Sequence, residues 1–150
     1  MNRGFVLQGL LEIADSETGS AAVSLGKLVH QLQQQEEKLA LLVQYRSDYQ
    51  SRLSGATDSG LDSRNFRNFS AFMKQLEQAI HQQQAVVFEA RRCVAAGRQR
   101  WQEKQKKSKA YGTLAQRAST AAVRVENGRE QKLQDDFASR TSKNKILADH

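Results

Sequence analysis

Proline is missing from all 150 residues, where ordinary usage of about 5% would place roughly seven. Its absence removes the residue that most often kinks or breaks a helix interior. A lone cysteine, Cys93, excludes an intramolecular disulfide framework and any cysteine-based zinc site, and it fits a reducing compartment. Long apolar runs are also missing. The run from Leu39 to Val43 is typical, far short of the roughly 20 residues a membrane helix needs. The first residues lack the apolar core of a signal peptide. These absences predict a soluble chain that is not secreted by the general route. Aromatic residues are only 7% of the sequence.

What is present favours helix. Glutamine and alanine each occur 18 times, and both are tolerated well in helix interiors. Lysine and arginine together number 23 against 16 aspartate and glutamate, a formal net charge of +7. The length allows at most one domain, and the composition predicts an all-α chain.

Apolar spacing distinguishes a compact bundle from a coiled coil, because a 3-4 alternation keeps one seam of a helix facing a partner. From Leu7 the alternation runs through Leu11, Ala14, Thr18, Ala21, Leu25, Leu28, Leu32, Gln35, Leu39, Leu42, Arg46 and Tyr49 to Leu53, with only Thr18, Gln35 and Arg46 off-type. A second series runs from Phe66 and Phe69 through Met73, Leu76, Ile80, Val87, Val94 and Trp101 to Ala122 and Val125. It is interrupted at Gln83, Gly97, Lys104 and Ser108 and relies on alanine in its later part.

Between the series lies Ser54-Gly55-Ala56-Thr57-Asp58-Ser59-Gly60-Leu61-Asp62-Ser63, with two glycines and several residues able to cap a helix start. A connection this short reverses the chain, so the sequence predicts a long antiparallel two-helix coiled-coil hairpin. The expected boundaries within a single 1–150 domain are a first helix over about 5–53, a turn over 54–63, a second helix over about 63–138 and a frayed tail over 139–150. At 1.5 Å per residue the helices would extend roughly 70 Å and somewhat over 100 Å. Two helices bury a narrow stripe and offer no pocket for a substrate, so no catalytic activity is expected.

The residues that could carry chemistry point the same way. No Gly-x-x-x-x-Gly-Lys-Ser/Thr loop occurs, and no strand precedes a glycine-rich turn, so neither nucleotide fingerprint is present. His30, His81 and His150 are far apart, and none has a second ligand at a zinc-binding helical spacing. Cys93, next to the seam position Val94, reads as a small half-buried hydrophobe. No cofactor or metal is expected. Residues 91–109 hold Arg91, Arg92, Arg98, Arg100, Lys104, Lys106, Lys107 and Lys109 against Glu103 alone. Such a stripe suits a solvated face or an acidic protein partner. It would also suit nucleic-acid phosphates or an anionic membrane surface, for which it lacks interleaved aromatics and any DNA-binding motif.

More informative is the apolar width beside the turn. Leu39, Leu41, Leu42, Val43, Tyr45, Tyr49 and Leu53 spread over about 200° of a helical wheel, whereas a two-helix seam needs about 100°. Phe66, Phe69, Phe72, Met73, Leu76 and Ala79 crowd the start of the second helix in the same way. Some of these side chains must stay outside the seam. They form either a docking patch for a partner or a self-association seam giving a homodimer or four-helix bundle.

The ordered residues Tyr45-Arg46-Ser47-Asp48-Tyr49, Phe69-x-x-Phe72, Leu76-Glu77-x-Ala79-Ile80, Trp101-x-Glu103-Lys104, Thr113-Leu114-x-x-Arg117, Glu126-Asn127, Gln131-Lys132 and Asp136-Phe137-Ala138-x-Arg140 resemble the flagellar export protein FliJ family over nearly the whole chain. The resemblance implies a coiled-coil hairpin similar to the central stalk subunit of rotary ATPases. It implies a non-enzymatic part of the flagellar type III export apparatus, needed for flagellum assembly, motility and chemotaxis. Its partners would be the hexameric export ATPase FliI, whose pore receives the helical termini, the export gate FlhA, and export chaperones that it escorts. It would be cytoplasmic, peripheral to the inner membrane at the flagellar basal body, and would reach the membrane only through the export apparatus. Carried over residue by residue, the gate-contact stripe comprises Leu42, Tyr45 and Tyr49 with Phe72, Leu76 and Ala79. Lys38 and Gln83 depart from the family pattern at its two ends. A stalk protein of a virulence type III secretion system would share this architecture, and a basic coiled-coil binder of nucleic acid or membrane surfaces is the reading from a different class.

Overall fold

The computed structural model describes residues 3–58, 60 and 62–149. Two helices, α1 (Arg3–Asp58) and α2 (Ser63–Ala148), account for nearly all of them and pack against each other as an all-α helical hairpin. With no proline to interrupt either ladder, each helix continues until the backbone is turned by residues suited to that task.

The reversal is shorter than the sequence predicted. Residues 54–58, expected in the turn, continue α1 to Asp58. The cost of Gly55 in a helix, about 1 kcal/mol relative to alanine, is too small to end an established ladder, and Thr57 Oγ1 donates to the Leu53 carbonyl at 2.8 Å without breaking it. Gly60 then takes φ of 88°, the left-handed backbone that glycine adopts without steric penalty, and its N–H donates to the Thr57 carbonyl at 3.3 Å. The Phe66 N–H donates to the Asp62 carbonyl at 2.9 Å, which makes Asp62 the cap from which α2 starts. Ser59 and Leu61 of the expected turn lie outside the described residues, as do Met1, Asn2 and His150.

The far end of α2 is the second correction. Residues 139–148, expected to fray, are helical to Ala148. Thr141 Oγ1 donates to the Phe137 carbonyl at 2.9 Å, and Lys145 places a cation in the last turn, where it complements the carbonyl end of the helix dipole.

The contacts gather into two compact units, each made from both helices: Gly19–Glu103, and Met1–Thr18 with Lys104–His150. In the Gly19–Glu103 unit the buried residues are Leu76, Ile80, Val87 and Val94 of α2, set against a half-buried row of Leu25, Leu28, Leu32, Leu39, Leu42 and Leu53 on α1. Complete burial of such a side chain is worth about 1.5–3 kcal/mol, so these four residues carry much of the unit's stability. Gly97 permits a close approach. A Cβ there would lie 2.8 Å from Leu28 Cδ1 and 3.5 Å from Leu25 Cδ1. The off-type seam residues meet each other: Gln83 Nε2 donates to the Gln35 carbonyl at 3.0 Å and to Gln35 Oε1 at 2.8 Å. Paired in this way the two amides cost little, and they favour the register that joins them.

The unit of Met1–Thr18 and Lys104–His150 packs more thinly. Ala14 is its one buried apolar residue among those described, with Leu7, Leu11, Tyr111, Ala115 and Ala118 half-buried around it. Polar links replace apolar contact: Lys104 Nζ lies 3.0 Å from Glu17 Oε2, and Ser108 Oγ donates to Asp15 Oδ1. Thr18, off-type in the series, donates its hydroxyl to the Ala14 carbonyl at 2.8 Å. Beyond Ala118 every described residue of α2 is exposed. Ala122 and Val125, placed in the seam by the period, are therefore uncovered beside Arg3 and Gly4, the first described residues of α1.

Candidate functional site: an aromatic face beside the turn

The six residues of the expected contact stripe divide into two groups. Leu76 is buried, while Leu42, Tyr49 and Ala79 are half-buried seam members. Tyr45 and Phe72 are open to solvent, at 47% and 42% exposure.

Tyr49 organises the cluster. Its ring centroid lies 4.5 Å from that of Phe72 with the planes tilted by 31°, and 5.4 Å from that of Phe69 at 53°. Such tilted, offset geometries suit the ring quadrupoles. The Arg52 guanidinium carbon lies 5.6 Å from the centroid of the Tyr49 ring, within cation–π range. One helical turn before Tyr49 comes Tyr45, and one turn before that Leu41, itself 51% exposed. The i, i+4 spacing puts the three on one ridge of α1, and the Tyr49–Phe72 contact joins that ridge to α2. Tyr49 is thus the hinge pin between seam and surface, and Leu41, Tyr45 and Phe72 are the apolar groups it leaves outside.

Val86, 44% exposed, was missed. Phe72, Ala79 and Val86 stand seven residues apart and share one row of α2, a heptad spacing that could have revealed it. The departing positions Lys38 and Gln83 differ in role. Gln83 is held in the seam by Gln35, whereas Lys38 is exposed on α1 beside Gln34, Glu37 and Leu41.

Part of the basic run is already engaged. In the Gly19–Glu103 unit Arg91 meets Glu36 at 3.4 Å and Arg92 meets Glu89 at 3.3 Å. In the other unit Lys104 pairs with Glu17, whose carboxyl is held below its usual range by the hydrogen bond and charge of Lys104 and further by Lys107. All of these are exposed pairs, worth little to stability. Arg98, Arg100, Lys106, Lys107 and Lys109 are exposed. Among the described residues no group of acidic, histidine or cysteine side chains is arranged to hold a metal ion, and no helix is long and apolar enough to cross a membrane. Cys93 is half-buried, as its place next to the seam implied.

A family model described as "Flagellar FliJ protein" matches residues 3–146. The chain belongs to the FliJ family. Two curated relatives support the assignment at full length. The flagellar FliJ protein of Escherichia coli (strain K12) is 34% identical over 139 residues, covering 93% of this chain and 95% of the relative. That of Salmonella typhi is 33% identical over the same length, with the same coverage. These FliJ matches run through both helices, so the aromatic face beside the turn and the exposed end of α2 both fall within the shared region.

Proposed function

We propose that this FliJ-family chain is a non-enzymatic component of the flagellar type III export apparatus, and that it docks on the export gate FlhA through Tyr45, Phe72 and Leu41, with Tyr49 as their support. The observation that carries this reading is the split within the stripe. Two aromatic rings and a leucine remain in solvent, one of the rings, Phe72, packed against Tyr49, and aromatic anchors dominate binding energy at interfaces. Leu76, Ala79 and Leu42 serve the face from beneath by holding the helices in register.

In the same reading the segment of α2 beyond Ala118 and the start of α1 engage the export ATPase FliI, so that the chain links ATP hydrolysis to the gate. Export chaperones are escorted on the same molecule. It acts in the cytoplasm, at the cytoplasmic side of the inner membrane.

The test is capture of the cytoplasmic part of FlhA by the purified chain. Tyr45→Ala with Leu41→Ala, both at exposed positions outside the ring cluster, should remove binding while leaving helicity by circular dichroism and capture of FliI at wild-type levels. Undiminished gate capture by the double variant would contradict the assignment of the face.

A further inference from the structure

Two heptad rows border the seam on the side where the aromatic face lies. On α1 the row is Lys38, Tyr45 and Arg52, each immediately before a seam residue, Leu39, Arg46 or Leu53. On α2 it is Phe72, Ala79 and Val86, each immediately before Met73, Ile80 or Val87. Tyr49, which stands between Tyr45 and Arg52 on α1, touches Phe72, so the rows share one side of the hairpin, and all six residues belong to the Gly19–Glu103 unit. Each row spans two heptads, about 21 Å of helix. The α2 row is wholly apolar, whereas the α1 row sets a tyrosine between two cations.

Those cations are unanswered. Lys38 and Arg52 are exposed and have no ion-pair partner among the described residues; Arg52 has only the Tyr49 ring. The acids nearest the rows are turned away or engaged. Glu37 stands about 100° round α1 from Lys38, Asp48 accepts from Gln44 at 3.0 Å, and Glu89 is paired with Arg92 at 3.3 Å. Arg46, half-buried in the seam between the two cations, and the exposed Arg64 at the start of α2 add to the positive sign.

We propose that the groove between these rows receives an amphipathic helix of the partner that carries carboxylates two heptads apart, one meeting Lys38 and the other Arg52, with apolar side chains between them covering Tyr45, Phe72 and Val86. The inference rests on the reading of this face as the docking site for the export gate, and it names the chemistry of the gate segment. A helix laid in an apolar groove is held by anchors on one of its faces. An apolar groove by itself would accept a segment of either charge in several registers; two cations at the ends of one row reject a segment with basic ends and select the register that brings both carboxylates into place. Val86, 44% exposed, becomes a contact at the Lys38 end of the groove, as Phe72 is at the Arg52 end.

The test titrates the full chain into a fluorescent helical peptide of about 18 residues, with leucine along one face and two glutamates set two heptads apart beside it, and into a counterpart with lysine at those two positions. By anisotropy, wild type should bind the glutamate peptide at least about tenfold more tightly than the lysine peptide, and Lys38→Glu with Arg52→Glu should reverse the preference. In capture of the cytoplasmic part of FlhA, Lys38→Glu and Val86→Asp should each lower binding at least about fivefold at unchanged helicity. Equal binding of the two peptides, or a preference that the double reversal leaves in place, would overturn the proposal. Gate capture that Leu41→Ala with Tyr45→Ala abolishes but Lys38→Glu and Val86→Asp leave unchanged would overturn it too, with the gate reading intact. Gate capture indifferent to all of these substitutions would remove the gate reading, and the peptide preference would still decide the chemistry of the groove.

Discussion

Replacing Tyr49 with alanine removes a ring that touches Phe72 and Phe69 at centroid distances of 4.5 and 5.4 Å and lies under Arg52. An aromatic pair contributes about 0.5–1.5 kcal/mol beyond area burial, and half-burial of the ring adds about 1 kcal/mol, so the loss should be roughly 2–3 kcal/mol. At roughly 2–4 °C per kcal/mol for a chain of this size, Tm should fall by roughly 5–10 °C. Tyr45→Ala, at a site 47% exposed, should change stability by no more than about 0.5 kcal/mol. Thermal unfolding followed by far-ultraviolet circular dichroism separates the two. Tyr49→Phe keeps the ring and should remain near wild type. If Tyr49→Ala proves as harmless as Tyr45→Ala, the ring is not a seam residue and the division of the stripe into support and docking surface is wrong. The comparison also guides any functional assay: a defect caused by Tyr49→Ala mixes folding with docking, whereas one caused by Tyr45→Ala does not.

Three further expectations concern the seam. Gly26→Ala, with open space around the new Cβ, should stabilise by up to about 1 kcal/mol through helix propensity, while Gly97→Ala must displace Leu28 and should gain nothing or lose up to about 1 kcal/mol; equal stabilisation in urea unfolding would refute the close approach. Gln83→Ala leaves the Gln35 amide without its partner and should cost about 1–2 kcal/mol by the same measurement, more than Gln82→Ala at the exposed neighbouring position. The Glu17 carboxyl, lowered by Lys104, stabilises the fold when ionised. That contribution is present above the ordinary carboxylate range and disappears as the pH falls through the lowered value; a side-chain NMR titration should show the shift, and Lys104→Gln or high salt should abolish it.

The seam was legible because its signal is repetitive. Every position of the Leu7–Leu53 series is buried or half-buried, since a 3-4 period sustained over many turns admits only one face. The second series fails at Phe66, beside the turn, and at Ala122 and Val125, beside the start of α1. A period says which residues could face a neighbour, and it does not say whether the neighbour is long enough to cover them. Helix ends were less legible. Ser54 to Asp58 have the composition of a turn, yet a continuing ladder outweighs weak local preferences. The contact stripe lay between these cases. Excess apolar width showed that something near the turn must stay outside, but Tyr45 and Tyr49 look alike in sequence. What separates them is that only Tyr49 meets Phe69 and Phe72, a contact between residues on different helices. Val86 escaped because it stands apart from the crowded start of α2.

The most direct test of the account is swimming and filament secretion in a strain lacking this chain, complemented with wild type or with the Leu41→Ala, Tyr45→Ala double variant. The account predicts that deletion abolishes both, that wild type restores them, and that the double variant, though folded and present at normal levels, does not. Normal swimming in the deletion strain, or full rescue by the double variant, would contradict it.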